Sequence, residues 1–315
     1  MSIKVSVCIP VYGVEKYIEK CARSLFEQTM REDIEFIFVN DCTKDRSIEI
    51  LEQVLAEYPH RKEQTKIIQH KQNGGLVAAR NTGLLHASGE YIIHCDSDDW
   101  VELDMYEKMY DAAKENDADI SYCSYILDDG KTQKIAEIAS YSTGEDFLDK
   151  ILSNNLHWNL WAKMVKSTIA KSSDLYTPEH ICFGEDLLLS SQMIAKSKTI
   201  AYYPRPLYHY FKSNTESYTK QFKRTSLDQL REAVDFLEQH LPRQYNLASC
   251  KGEVLFKAVF YDLMSKNEFK QYASGWRKKI LSAHNFSKQK KIILFSAFIS
   301  FRTTALLLKV LKNLL

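Results

Sequence analysis

The chain of 315 residues is poor in the two residues that loosen a fold, with 10 glycines and 6 prolines. That excludes collagen-like repeats and Pro/Gly-rich linkers. No stretch has the polar low complexity of a disordered segment, and no internal repeat is visible. The seven cysteines (Cys8, Cys21, Cys42, Cys95, Cys123, Cys182, Cys250) are scattered singly without a C-x-x-C pair. Neither a disulfide framework nor a zinc site is indicated, and a reducing compartment fits. The start, Met1-Ser2-Ile3-Lys4 before an alternating apolar run and Pro10, lacks the apolar core of a secretory signal, so a cytoplasmic protein is expected. Neither G-x-G-x-x-G nor G-x-x-x-x-G-K-[ST] occurs, which disfavours dinucleotide oxidoreductases and P-loop enzymes.

What is present is an ordinary globular composition, 45% hydrophobic and 26% charged, with 42 Lys/Arg against 41 Asp/Glu. The near-zero balance hides an asymmetry. Residues 266–315 hold eleven Lys/Arg and one acid, Glu268, a net +10, which leaves a body of −9. An acidic body is poorly suited to nucleic acid, and a basic tail suits an anionic surface.

Apolar runs at Ile3–Ile9, Ile34–Val39, Lys66–Gln69 and Tyr91–Cys95 read as buried strands, the first stopped by Pro10. Segments of helical period separate them at Val14–Gln28, Arg46–Tyr58 and Gly75–Ala87. A helix over Leu103–Glu115 and a strand over Ile120–Ile126 follow, and segments 222–241 and 251–264 are again helical by period. Strands alternating with helices predict an α/β fold, a parallel sheet with helices on both faces, followed by a mostly helical C-terminal region. Such sheets bind ligands beyond the carboxyl ends of their strands, here Pro10-Val11-Tyr12, Asn40-Asp41 and Asp96 to Asp99.

Asp96-Ser97-Asp98-Asp99 is the strongest local feature. Three carboxylates in four residues repel one another unless a cation or water neutralises them. A solvated turn capping the next helix is the bland alternative, but the position at a strand end favours a ligand site. Hard Mg²⁺ or Mn²⁺ takes oxygen ligands, commonly one or two carboxylates plus substrate phosphates, so a metal-bound diphosphate is expected.

Four segments in order resemble glycosyltransferase family 2: Ser6-Val7-Cys8-Ile9-Pro10-Val11-Tyr12, Phe38 to Asp45, Asn73 to Gly83, and Ser88-Gly89-Glu90-Tyr91 into Asp96-Ser97-Asp98-Asp99. They span about the first third of the chain. The resemblance implies a GT-A fold and an inverting, metal-dependent transfer of a sugar from a nucleoside diphosphate, by family habit UDP. The acceptor is a hydroxyl of a glycan or lipid-linked saccharide in surface polysaccharide assembly. It implies donor contacts at Pro10, Val11, Tyr12, Asp41, Asn73, Arg80, Asp96, Ser97 and Asp98. It also implies Mn²⁺ or Mg²⁺ held through Asp98, Asp99 and His209, the last in a segment that in similar enzymes closes over the donor. Cys42 and Thr43 stand where the family usually has Gly and Ser, and Asn40 replaces a frequent Asp.

In Cys182-Phe183-Gly184-Glu185-Asp186, Gly184 permits a tight turn and the two acids open a helix. Helix capping is one reading of that pair, and the family resemblance makes Asp186 the base that takes the acceptor proton. Trp158 and Trp161, at i and i+3, also match a family segment, with packing favoured over sugar stacking. A strand His facing solvent is an equal alternative for His209. The tail beyond residue 286 has a ten-residue apolar run, Ile292–Phe301, too short to span a bilayer. Lys288, Lys291, Arg302, Lys309 and Asn313 share a helical stripe into which Phe295, Phe298 and Leu306 intrude. A peripheral helix on the inner face of the cell membrane is expected, the alternative being packing on the body or on a second subunit in a homodimer. The expected divisions are a transferase domain over 1–218, a helical region over 219–285 and a tail over 286–315. A nucleotidyltransferase, which would normally carry a Gly-rich basic N-terminal loop, and an inactive nucleotide-sugar-binding scaffold are the rival readings.

Overall fold

The computed structural model describes residues 2–154, 158–214, 222–283 and 286–314. Among these residues nine strands make one sheet: β1 (Val5–Val11), β2 (Ile34–Asn40), β3 (Thr65–Gln69), β4 (Tyr91–His94), β5 (Trp100–Val101), β6 (Ile120–Asp128), β7 (Gln133–Ala136), β8 (Lys163–Lys166) and β9 (Ile200–Phe211). Their order is β3-β2-β1-β4-β8-β6-β9-β5, with β7 paired to β6. The first four run parallel and are joined through helices Ile18–Phe26, Ser47–Glu57 and Leu76–His86, the expected α/β arrangement. Every residue of β1 and β2 is buried, because a strand flanked by parallel neighbours and covered by helices offers no face to water.

The second half of the sheet is mixed, which the periodicity did not indicate. β8 lies antiparallel between β4 and β6, β9 is parallel to β6, and β5 is antiparallel to β9. Pro10 does not stop β1, which continues to Val11 with Pro10 opposite Val39. Val11 accepts from the amide of Asp41, just after β2, so Pro10 faces the β4 side. Pairing there ends at Cys8–His94, and the missing N–H breaks no ladder bond. Pro204 and Pro206 fall in β9 beside a shift of register against β6 between Cys123 and Tyr125, where an irregular ladder tolerates them.

Two compact units divide the chain. The first holds Met1–Phe147, Asn159–His180 and Gln192–Ser217, and contains the sheet; the second holds Leu148–Trp158, Ile181–Ser191 and Tyr218–Leu315. Segments 148–158 and 181–191, expected in the transferase domain, therefore group with the helices, and the tail groups with them rather than standing apart. The expected boundaries at 218/219 and 285/286 lie at or beside residues outside those described. In the second unit helix Arg224–His240 buries Leu227, Leu230, Val234 and Leu237 on one face, as its period predicts. Helix Ala248–Phe260 is buried over most of its length. No helix among the described residues is long and apolar enough to cross a membrane.

Behind the strand ends that carry the site, Glu35 ties four segments together. Its Oε1 accepts from Ser6 Oγ (2.6 Å) and from the amide and hydroxyl of Ser88 (2.6 and 2.8 Å), and its Oε2 from Lys66 Nζ (2.7 Å). Gly89 donates to Ser6 Oγ at 2.8 Å, and a Cβ on it would stand 2.6 Å from the Ser6 nitrogen, so the Ser88-Gly89 segment owes its residues to packing.

Burial raises the pKa of Glu35, but the hydrogen bonds from Lys66, Ser6 and Ser88 outweigh it and leave the carboxyl below its usual 4.5. A depressed carboxyl contributes stability above its unfolded pKa and loses it as pH falls toward the folded one. Glu35→Gln is expected to lower stability by about 2 kcal/mol at pH 7 and to shrink the difference from wild type below about pH 4.5. Urea midpoints between pH 3 and 7 measure both.

Candidate functional site

The acidic turn leaves the end of β4 and is held by β9. Asp99 is 1% exposed. Its Oδ2 accepts from Tyr208 Oη (2.7 Å) and its Oδ1 from the Phe211 amide (2.8 Å). The Tyr208 oxygen also accepts from the Asp96 amide (3.1 Å), so one phenol holds both ends of the turn. Tyr208 is fixed by a face-to-face stack on Trp161, with centroids 4.4 Å apart and planes 7° off parallel. Trp161 thus packs, as favoured from its spacing. Asp98 is only partly buried and accepts from Asn214 Nδ2 (2.8 Å). Burial first, then Asp96, raises the Asp98 pKa. Asp99 is pushed up by burial and by Asp98 and Asp96.

Arg80, 3% exposed on helix Leu76–His86, places Nη2 at 3.0 Å from Asp96 Oδ1. A buried guanidinium beside a carboxylate is costly to break, and this one pins the acidic turn to that helix. Ser97 is buried at the centre of the turn.

A second carboxylate organises the neighbouring strand ends. Asp41, following β2, accepts at Oδ1 from the Gly74 amide (2.7 Å) and at Oδ2 from the Gly75 amide (2.8 Å), and His70 Nδ1 lies 2.8 Å from Oδ1. Asn73 Nδ2 donates to the Asp41 carbonyl (3.2 Å). Gly75 has φ +87°, a conformation that favours glycine just before the helix begins. Asp41 and Asn73, expected as donor contacts, are thus in mutual contact, with the Asp41 side chain holding the loop. Pro10 and Val11 are buried beneath them, whereas Tyr12 is 53% exposed at the end of β1.

The 40–47 turn interlocks with the segment after Tyr12. Gly13 donates to Thr43 Oγ1 (2.9 Å), Thr43 in turn to Asn40 Oδ1 through its amide (2.9 Å) and to Asp45 Oδ1 through its hydroxyl (2.7 Å). Cys42 sits at φ +58°, the left-handed region in which a Cβ costs about 1–2 kcal/mol. The departure from glycine thus keeps the glycine conformation at the expense of strain.

The carboxylates Asp96 and Asp98 are hard oxygen donors and fit a divalent cation in chemistry. No group of three or more His, Cys, Asp or Glu side chains among the described residues is arranged to hold an ion alone. The other two expected metal ligands are already engaged by the protein. Both Asp99 oxygens are engaged by β9. His209 places Nε2 at 2.7 Å from Glu102 Oε1 and stacks on Trp100 with centroids 5.1 Å apart. It is a buried strand residue, not the solvent-facing side chain of the alternative reading, and its Nδ1 has no hydrogen-bond partner among the described residues.

Asp186 belongs to the second unit. It is the second residue of helix Glu185–Lys196, follows Gly184 at φ +92° and is half-buried. A Cβ on Gly184 would meet Leu230 Cδ1 at 3.1 Å, so the turn is shaped by packing on helix Arg224–His240. His70, Tyr208 and Asn214 escaped sequence reasoning. Each lies 29 to 116 positions from the carboxylate it holds, and no local pattern marks them.

The family model for glycosyl transferase family 2 matches residues 6–171. EpsJ of Bacillus subtilis (strain 168), a glycosyltransferase, is 30% identical over 248 residues, which cover 76% of this chain and 67% of EpsJ. The poly(ribitol-phosphate) beta-glucosyltransferase of Bacillus spizizenii is 32% identical over 201 residues, 63% of this chain and 31% of that protein. The fold is similar to that of S. aureus TarS 1-349 in complex with UDP-GlcNAc, with a TM-score of 0.66 and 18% identity, over 98% of this chain and 92% of that one.

Because Cys42 occupies a glycine conformation, Cys42→Gly is expected to leave stability unchanged or raise it by up to about 1 kcal/mol, and Cys42→Val to lower it by more than that. Thermal and urea midpoints of the two variants check the ordering.

Proposed function

The chain belongs to glycosyltransferase family 2 and is a glycosyltransferase, and we propose that it transfers a sugar from UDP to a hydroxyl of a glycan or lipid-linked saccharide, with inversion and with the help of Mn²⁺ or Mg²⁺. The observation that carries this reading is the convergence, within one unit, of an exposed Tyr12, the Asn73–Gly75 loop held by Asp41, and the Asp96–Asp98 turn pinned by Arg80. These stand at the carboxyl ends of adjacent parallel strands, where open sheets receive nucleotides. The UDP-GlcNAc bound by TarS supports UDP, and the poly(ribitol-phosphate) acceptor in the name of the Bacillus spizizenii relative supports a cell-surface polymer.

Tyr12, with Pro10 and Val11 beneath it, would stack on the base. Asp41 would keep the Asn73–Gly75 loop in place against the nucleoside, and Ser97 would hold the spacing of the two carboxylates beside the ribose and diphosphate. Asp98, with Asp96, would hold the cation, which when bound offsets the charge of the departing diphosphate. Asp186 takes the acceptor proton as the acceptor oxygen bonds to the anomeric carbon and the bond to the diphosphate breaks. A carboxylate is a weak base for a hydroxyl, and suits a step in which proton transfer accompanies bond formation. A single displacement inverts the anomeric centre. The presence of both Asp98-Asp99 and Asp186 argues against a scaffold. A nucleotidyltransferase would release pyrophosphate instead of UDP.

Asp98→Asn is expected to lower turnover by about 10²-fold or more with the fold intact, and EDTA to have the same effect on wild type. Full activity after EDTA treatment would contradict the metal role. Asp186→Asn is expected to leave UDP affinity within a few fold while lowering turnover by about 10²-fold or more. Calorimetry and UDP-release assays separate the two quantities. NMR of the product should show the inverted anomer, and retention would overturn the single displacement.

A further inference from the structure

The basic tail is two helices, Lys288–Ile299 and Phe301–Leu314, divided at Ser300, whose φ of −140° and ψ of 93° leave the helical region. A single stripe of lysines is therefore not its organising feature. Each helix has an inner face. Leu294, Ala297, Phe301 and Ala305 are buried, and Phe298 packs on Phe269 with centroids 5.4 Å apart and under the Arg277 guanidinium at 5.2 Å. Lys290 is taken inward as well, 2.5 Å from Glu253 Oε2. Phe298, one of the apolar side chains that intrude on the basic stripe, is thus turned inward.

The outer faces are apolar where a soluble helix is polar. Ile292, Phe295 and Ile299, at i, i+3 and i+7, are 66%, 50% and 68% exposed, and Leu306 and Leu307 are 63% and 58% exposed. Lys288 lies on the first stripe one turn before Ile292, and Arg302 and Lys309 bracket Leu306 at helical spacing, all three exposed. Single exposed apolar side chains are common, but five on two consecutive helices mark an interaction surface. Its charge selects the partner: residues 286–315 carry six bases, of which Lys290 is paired inward, and no acid. Two like copies of so basic a face repel each other, whereas an anionic lipid surface takes the apolar side chains among its acyl chains and the bases at its headgroups.

We infer that the outer faces of these two helices, Ile292-Phe295-Ile299 and Leu306-Leu307 with Lys288, Arg302 and Lys309, dock the protein in the interface of an anionic bilayer. The docking is peripheral, since neither helix has the length to span. It is independent of the chemistry proposed for the sheet, and it accounts for how an enzyme without a spanning helix among its described residues would meet a lipid-linked acceptor.

The test uses the full chain with vesicles of phosphatidylcholine alone and of phosphatidylcholine with 30 mol% phosphatidylglycerol. Sedimentation with the anionic vesicles at least tenfold above the neutral ones is expected, weakening at high salt. The combined variant Phe295→Asp, Ile299→Asp, Leu306→Asp should lose this binding even at low salt, while keeping its melting temperature and its UDP-release rate with a soluble saccharide acceptor. Lys288→Glu with Arg302→Glu should lose the salt-sensitive part. Equal sedimentation of wild type and the triple variant would overturn the inference. So would a wild type that ignores both vesicle types and runs as a dimer that the triple variant dissociates. Loss of UDP release in wild type with vesicle binding preserved would bear on the proposed reaction alone.

Discussion

The buried carboxylate of Asp99 is the constraint on which the candidate site depends. A charge taken out of water must be met by donors, and here both come from β9, the Tyr208 hydroxyl and the Phe211 amide. The same phenol receives the Asp96 amide. The acidic turn is thereby held to a strand more than a hundred positions away, leaving Asp96 on Arg80 and Asp98 on Asn214. Of three like charges in four residues, one is spent on structure, one on pinning the turn to a helix, and one stands partly exposed where a cation and diphosphate would be met. Mutual repulsion, which would splay an unsupported turn, is absorbed by this division of labour.

Asp41 repeats the logic at the end of β2, with β1 between it and β4. Two glycine amides and His70 converge on its carboxylate, so the loop that leads into helix Leu76–His86 is ordered by a side chain from the end of β2. Glu35 does the same behind the strand ends for Ser6, Ser88 and Lys66. Three buried acids thus set the relative positions of β1, β2, β3 and β4 at both ends of the parallel half of the sheet. The apolar strands between them supply the burial, and the acids supply the register.

The parallel half was legible because its strands are continuous apolar runs between helical periods, and the acidic turn because charge density needs no alignment to be seen. Pro10 misled as a strand terminator, since its cost depends on which neighbour its missing N–H would face. β8 hid because Lys163-Met164-Val165-Lys166 is short and begins and ends in lysine, and β9 because Pro204 and Pro206 read as breakers until a register shift accommodates them. Those two strands bring Tyr208, Phe211 and Asn214 to the acids, so the support of the site was invisible for the same reason that the mixed sheet was. Asp99 and His209 were legible as candidate ligands by residue type, and only geometry shows that both Asp99 oxygens and His209 Nε2 already have partners in the protein. The break at Ser300 likewise redistributes the tail residues between an inner and an outer face in a way that one continuous helical period does not.

A crystal structure of the chain with UDP and Mn²⁺ tests the central claim most directly. The account predicts an ion bound by Asp98, alone or with Asp96, and by phosphate oxygens, with Asp99 still accepting from Tyr208 and Phe211 and His209 still on Glu102. An ion ligated by Asp99 or His209, with those hydrogen bonds broken, would contradict it.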